Sequence, residues 1–404
     1  MGILIQWAFT GNESNSEYNG AMKVEAVALE ILRTRTSEKW SAFAPDVLPM
    51  PVAEMDFELA EPIKELLVAM VTNSDTGYMG ETAHLGASFA NFARDRWGWE
   101  VDTEQFFLCT DVGVGAIEMA RTVVQPGDKI MVNSPVYLNM FNWITELKCQ
   151  AFDAPMHKDG MEYTLDLAAI EAGYRAGVKI HFLCNPQNPT GSVHTRAELE
   201  AIADLAVQYG VYVFSDEIHG PLVFGEEWFI PFLSISANAR QVGVCLTAAS
   251  KAWNLAGLKC AFVITESERM LALARSMPLS VRFRASLFGA HAAAKAFECT
   301  EWLAGLIQTL DSNRRYLQIQ LASKLPQARY RIPDCSYLAW IDMSAYDLGD
   351  NPYNILLEHG KIALTPGHLF GDGCGGFVRL NFATSQEIID QGIDRIVAAV
   401  KTPR

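Results

Sequence analysis

Short, nearly unbroken apolar runs recur along the middle of the chain. Between them, apolar residues return every three or four positions. Residues 105–109, 129–132, 178–184, 211–214, 242–246 and 260–264 are such runs. Strands covered on both faces read this way, because neither face alternates with water. Residues 197–209 have helical spacing instead. Thr195 and Glu198 supply the two halves of a capping box at its start, and Gly210 stands where a left-handed stop belongs. Repeated strand–helix–strand units predict an α/β fold with a mostly parallel central sheet.

Beyond residue 290 the pattern changes. Residues 290–325 read as one long helix, 337–341 as a strand, 371–376 as a glycine-rich loop and 377–382 as another strand. This predicts a second, smaller α+β domain, joined by the segment before Pro62. The expected division is a flexible arm over residues 1–20 and a segment over 21–59 that contributes to the small domain. A large domain over 60–290 follows, then a linking helix and C-terminal small domain over 291–404. No internal repeat is visible.

Composition narrows the class. The 404 residues are 50% hydrophobic and 20% charged, ample for a large core and two domains. The formal charge of −15, with no basic run, argues against nucleic acid or an anionic membrane as partner. The eight cysteines include no Cys-x-x-Cys pair, so neither a metal nor a redox motif is supported, and a reducing cytoplasm is the expected compartment. Residues 1–7 are apolar but lack a basic lead and a small-residue cleavage site, so no signal peptide is expected. Gln6 stands where myristoylation at Gly2 would want Ser or Thr. No apolar run approaches the length of a membrane span.

Three polar strings begin where apolar runs end. Asn185, Pro186, Gln187, Asn188, Pro189, Thr190 and Gly191 follow one run; Asp216, Glu217, Ile218 and His219 follow the next; Ser250 and Lys251 follow the third. An amide, a carboxylate and a lysine at strand ends suit pyridoxal 5'-phosphate (PLP). The lysine can bind its aldehyde covalently, and the acid can keep its pyridine nitrogen protonated. Taken singly, each has a blander reading: a surface lysine, an Asp capping a helix, an Asn in a proline turn. Their order and spacing favour the cofactor.

These strings resemble the fold-type I PLP enzymes of the class I/II aminotransferase family. Within it the chain is most similar to the MalY/PatB branch of cysteine-S-conjugate and cystathionine β-lyases. The branch-level signals are residues 35–40 (RTSEKW), 52–57 (VAEMDF), 75–78 (DTGY) and 216–219 (DEIH). The resemblance covers residues 30 to 400 and implies the PLP-dependent transferase-like fold.

It also implies roles. Lys251 would bind the cofactor and then take the substrate Cα proton. Asp216 would pair with the ring nitrogen, Asn188 with the phenolic oxygen, and His219 would lie near that same oxygen. Tyr137 would stack on the ring. Val112, Gly113, Val114 and Gly115 would open a helix on the phosphate, with the helix itself over 116–124. Ser250 and Lys259 would add contacts, and Tyr78 would reach the phosphate of a partner subunit in a homodimer. Arg379 would grip the substrate carboxylate through its planar fork, and Ala53 and Glu54 would border the substrate pocket.

Two departures stand out. Ala248 replaces a serine common in relatives, which would remove one phosphate hydrogen bond. Pro51 replaces a tryptophan, which would remove an aromatic wall and open the pocket to bulkier S-conjugates. The implied reaction is β-elimination of a cysteine S-conjugate or cystathionine-like amino acid to a thiol, pyruvate and ammonia. An aminotransferase, a specialised enzyme acting on a cysteine-derived appendage, and a PLP-binding regulator without chemistry are the alternatives.

Overall fold

The computed structural model describes residues 24–225, 229–349 and 351–402. The arm expected over 1–20 and the features read at residues 1–7 lie outside them. Among the described residues, a seven-stranded sheet runs in the order Phe106–Cys109, Ala261–Ile264, Gly243–Thr247, Tyr212–Asp216, Val178–Cys184, Lys129–Val132, Gln150–Asp153. Ala261–Ile264 is antiparallel to both its neighbours; the other pairings are parallel. The central strands are buried along almost their whole length, with burial unbroken from Gly243 to Thr247 and from Ala261 to Ile264. Helices cover the sheet, which is why the strands read as continuous apolar runs. Each predicted run is a strand within a residue or two. The sheet-edge strand Gln150–Asp153 gave no such signal, because its residues are exposed or only half-buried.

The helix expected over 197–209 spans Arg196–Tyr209. The capping box of Thr195 and Glu198 forms in both directions, and Gly210 adopts φ 71°. Two helical boundaries need correction. The helix placed over 116–124 is Val112–Arg121, because Asp111 caps it by accepting from the Val114 N–H. The single long helix over 290–325 is two, Leu287–Glu298 and Thr300–Lys324, broken at Cys299, whose ψ of 54° is not helical.

A four-stranded sheet runs in the order Arg329–Tyr330, Leu338–Asp342, Phe377–Asn381, Thr365–Pro366. The segment before Pro62 reaches this part of the chain. Leu48–Pro49 pairs in parallel with Ile362–Ala363. The Asp56 N–H donates to the Ala383 carbonyl at 2.9 Å. Where the segment turns inward, Lys39 Nζ donates to Asp56 Oδ2 at 2.6 Å, both side chains 1% exposed, and Trp40 Nε1 donates to Oδ1 at 2.9 Å. Pairing and hydrogen bonding together let two buried charges stand in the core. Among the described residues, no helix is long and apolar enough to cross a membrane.

Candidate active site

The parallel sheet puts the three polar strings side by side. Val178–Cys184, Tyr212–Asp216 and Gly243–Thr247 are consecutive neighbours, so their C-terminal ends open on one edge. Ligands of open α/β sheets lie at that edge. The Asn185 N–H donates to the Asp216 carbonyl at 3.0 Å, and the Glu217 N–H to the Leu246 carbonyl at 2.8 Å. The seams therefore continue past the strands and fix the start of each string.

Lys251 and Asp216 form the electrostatic centre. Burial pushes the Lys251 amine down to about 8, helped by the Arg379 charge and opposed by Glu54, Asp216 and Glu38. Burial pushes the Asp216 carboxyl up to about 7, against the Ile218 N–H and the Lys251 charge. Both shifts come first from desolvation, which disfavours any charged form. The Ile218 N–H reaches Asp216 Oδ1 at 3.2 Å, but Asp216 caps no helix: the short turn Gly220–Leu222 starts at His219. His219 is 3% exposed. Its pKa falls to about 3 through burial and the Lys251 and Arg379 charges, so it is neutral.

Arg379 lies in the buried strand Phe377–Asn381 and is 5% exposed. Its Nη1 donates to Asn188 Oδ1 at 3.0 Å; Nη2 donates to the Pro51 carbonyl at 3.0 Å and to Thr365 Oγ1 at 3.2 Å. The guanidinium rests over the Phe370 ring at 5.1 Å. Tyr137 is half-buried; its hydroxyl accepts from Asn139 Nδ2 at 2.6 Å, and burial raises its pKa. Pro51 is buried, and its carbonyl is committed to Arg379 and to Thr365 Oγ1, the latter at 2.9 Å.

The helix Val112–Arg121 starts at the same sheet edge, directly after Phe106–Cys109. Its opening turn is tight. A Cβ on Gly113 would meet Trp143 Nε1 at 2.9 Å, and one on Gly115 would meet Cys109 Sγ at 2.9 Å. Val112 is buried, while Gly113 and Val114 are half-buried at the exposed end of the helix dipole. Lys259 adopts φ 55° and brings Nζ within 3.7 Å of Asp111 Oδ2. Ser250 is half-buried, Ala248 is 1% exposed, and Tyr78 is 99% exposed.

The aminotransferase class I and II family model matches residues 54–396. The chain belongs to this family. It is 34% identical to the cystathionine beta-lyase of Corynebacterium glutamicum over 373 residues, which cover 92% of this chain and 99% of the relative. It is 33% identical to cystathionine beta-lyase PatB of Bacillus subtilis over 365 residues, covering 88% and 93% respectively. Among solved structures, cystalysin from Treponema denticola, which contains a pyridoxal 5'-phosphate cofactor, matches with a TM-score of 0.86 at 25% identity. The match covers 91% of this chain and 97% of that one.

The family's cofactor fits the groups assembled here. Two buried polar atoms, His219 Nδ1 and Arg379 Nε, have no hydrogen-bond partner among the described residues. Buried atoms of this kind ordinarily find one. Beside them stand an amine lowered toward neutrality, a carboxyl raised toward it, and a helix N-terminus kept open by glycine. An aldehyde, a basic ring nitrogen and a phosphate complement these three features in turn.

Sequence reasoning missed the groups that hold residues 50–56 against the site. Asn254 adopts φ 57°, a conformation Asn tolerates better than most residues. Its Oδ1 accepts from the Met55 N–H at 2.9 Å, and its Nδ2 donates to the Met55 carbonyl at 3.0 Å. Asn381 Nδ2 donates to the Val52 and Glu54 carbonyls, each at 2.6 Å. The Tyr337 hydroxyl donates to the Ala53 carbonyl at 3.1 Å. The one available signal was that Asn254 lies three residues after Lys251.

Proposed function

We propose that this chain is a PLP-dependent carbon–sulfur β-lyase that cleaves a cysteine S-conjugate or a cystathionine-like amino acid. The observation that carries the reading is the buried Lys251 amine, whose Nζ donates to the Ala53 carbonyl at 3.0 Å and which burial lowers to about 8. At that value about a tenth is unprotonated at pH 7, hundreds of times the share of an ordinary lysine, as a base requires. The names of the relatives supply the sulfur leaving group.

Lys251, Asp216, Asn188, His219 and Tyr137 would hold the ring. Val112 to Gly115, Ser250 and Lys259 would hold the phosphate, joined by Tyr78 from a partner subunit. When bound, pyridoxal 5'-phosphate supplies an electron-withdrawing ring conjugated to the substrate Cα. Arg379 binds the substrate carboxylate and so orients the Cα–H bond toward Lys251. Lys251 Nζ takes that proton. The electron pair left on Cα forms the Cα–Cβ double bond as the Cβ–S bond breaks, and sulfur leaves as thiolate. Asp216 would pair with the protonated ring nitrogen, and that positive charge would hold its carboxylate ionised. Hydrolysis then yields pyruvate and ammonia.

A homodimer in a reducing cytoplasm is part of the same proposal. Tyr78 is exposed, and so are Val68, Val71, Leu279 and Phe283, apolar side chains that a second copy would cover. All eight cysteines are free. The domain boundaries at residues 60 and 290 belong to it too: residues 48–56 bond to the C-terminal part of the chain. The test is an assay for pyruvate and free thiol from cystathionine and S-alkyl cysteines. Equimolar thiol and pyruvate support the lyase. Pyridoxamine phosphate formed with a 2-oxo acid, and no thiol, makes the chain an aminotransferase instead.

A further inference from the structure

We propose that Tyr337 is a positioning residue that keeps Lys251 ready to act as a base through one shared acceptor, the Ala53 carbonyl. This rests on the reading of Lys251 as the group that takes the Cα proton. Lys251 Nζ donates to Ala53 O at 3.0 Å, and the Tyr337 hydroxyl donates to the same oxygen at 3.1 Å. A carbonyl oxygen has two lone pairs, so both donors are satisfied. The oxygen is held in place. Asn381 bonds the carbonyls on either side of it, and Asn254 bonds both backbone groups of Met55. Tyr337 is fully buried, and its own carbonyl accepts from the Phe382 N–H at 2.9 Å.

The arrangement selects a protonation state. A neutral amine places one N–H on Ala53 and keeps its lone pair for the substrate. An ammonium has three N–H groups to satisfy and leans harder on any acceptor it has. The Tyr337 hydroxyl hydrogen, with its partial positive charge, occupies that acceptor and weakens it for the ammonium. The charged neighbours of Lys251 are Arg379 on its strand, Asp216 at the sheet edge, Glu54 in the 50–56 segment and Glu38 on the Glu38–Ser41 helix. Arg379 disfavours the ammonium and the three acids favour it. His219, lowered to about 3, is uncharged. Tyr337 acts on the same side as Arg379 without adding a charge that must itself be desolvated.

Competitive acetylation of the full chain loaded with pyridoxamine 5'-phosphate tests this. That form of the cofactor carries an amine and leaves Lys251 free. Only a neutral amine is acylated, so the Lys251 peptide, followed by mass spectrometry across pH, reports its titration. Y337F should move the midpoint up by roughly half a unit to one unit, the worth of one hydrogen bond. Below the midpoint, labelling should slow about three- to tenfold. A ring-fluorinated tyrosine at 337, a stronger donor, should move the midpoint down. The second replacement keeps the test decisive if Y337F does not fold. The acid limb of the kcat profile should follow the labelling midpoint in each variant.

Unchanged midpoints in the variants overturn the role of Tyr337, whatever the enzyme turns over. Shifted midpoints in a chain that releases no thiol from any cysteine conjugate would leave Tyr337 in place and remove the lyase.

Discussion

Nη1 of Arg379 lies 3.0 Å from Oδ1 of Asn188, across 191 positions of sequence. The bond decides which end of the Asn188 amide is free. With Oδ1 accepting from the arginine, Nδ2 is the end left to donate. The residue expected to grip the substrate carboxylate thus orients the residue expected to meet the cofactor oxygen. R379K keeps the charge and loses the fork. It should raise KM for the amino acid roughly ten- to a hundredfold, the worth of one charge-assisted hydrogen bond, and also shift the visible absorbance of the bound cofactor. Steady-state kinetics and an absorbance spectrum check both. A change in KM with an unaltered spectrum would separate the two residues.

Lys251 has two duties in the proposed reaction, and one substitution removes both. K251A should lower kcat by roughly 10²–10⁴-fold, the usual contribution of a positioned base. Borohydride treatment followed by denaturation should leave cofactor on the parent polypeptide and none on the variant. Cofactor trapped on another residue would relocate the site.

Glu217 is buried beside Asp216, 2% exposed, and no step of the reaction uses it. Its Oε1 accepts from Ser215 Oγ and from the Phe232 N–H, each at 2.8 Å, and Cys245 Sγ lies 3.3 Å from Oε2. Burial nonetheless raises its pKa from the ordinary 4.5 to about 7. A carboxyl with a raised folded-state value binds more protons folded than unfolded. Its stabilising contribution is present below about 4.5 and is lost as pH climbs through about 7. The loss is on the order of 3 kcal/mol. E217Q, neutral at every pH, should flatten that part of the stability curve. Urea denaturation from pH 4 to 8 measures it; parallel curves for parent and variant would refute the shift.

Pro51 concerns substrate size. Its carbonyl serves Arg379 and Thr365, and that service survives any side chain. P51W should therefore spare carboxylate binding and narrow the pocket. The ratio of kcat/KM for a small S-alkyl cysteine over that for cystathionine should rise several-fold. Unequal effects on the two substrates are the signature to seek; an unchanged ratio would detach residue 51 from specificity.

Much of the fold was legible in the sequence, and for a local reason. Strands buried on both faces must be apolar throughout, so Val178–Cys184 and Ala261–Ile264 announce themselves. The Thr195 cap and the Gly210 stop obey rules that span only a few residues. Gln150–Asp153 went unread because an exposed edge strand needs no apolar face. Lys251, Asp216 and Asn188 could be picked out because each follows a readable strand. Tyr337, Asn254 and Asn381 could not. Their partners lie 284, 199 and more than 300 positions away, and nothing local marks an ordinary tyrosine or asparagine for such a bond.

The pin at Asn381 bears on how the enzyme is born. A ribosome emits residues 50–56 well before the amide that fastens them, which follows Glu54 by 327 positions. Until that late strand emerges, a nascent chain already carrying Lys251 lacks the clasp on both neighbours of Ala53. A polypeptide released before codon 381 would leave the Val52 and Glu54 carbonyls without that clasp.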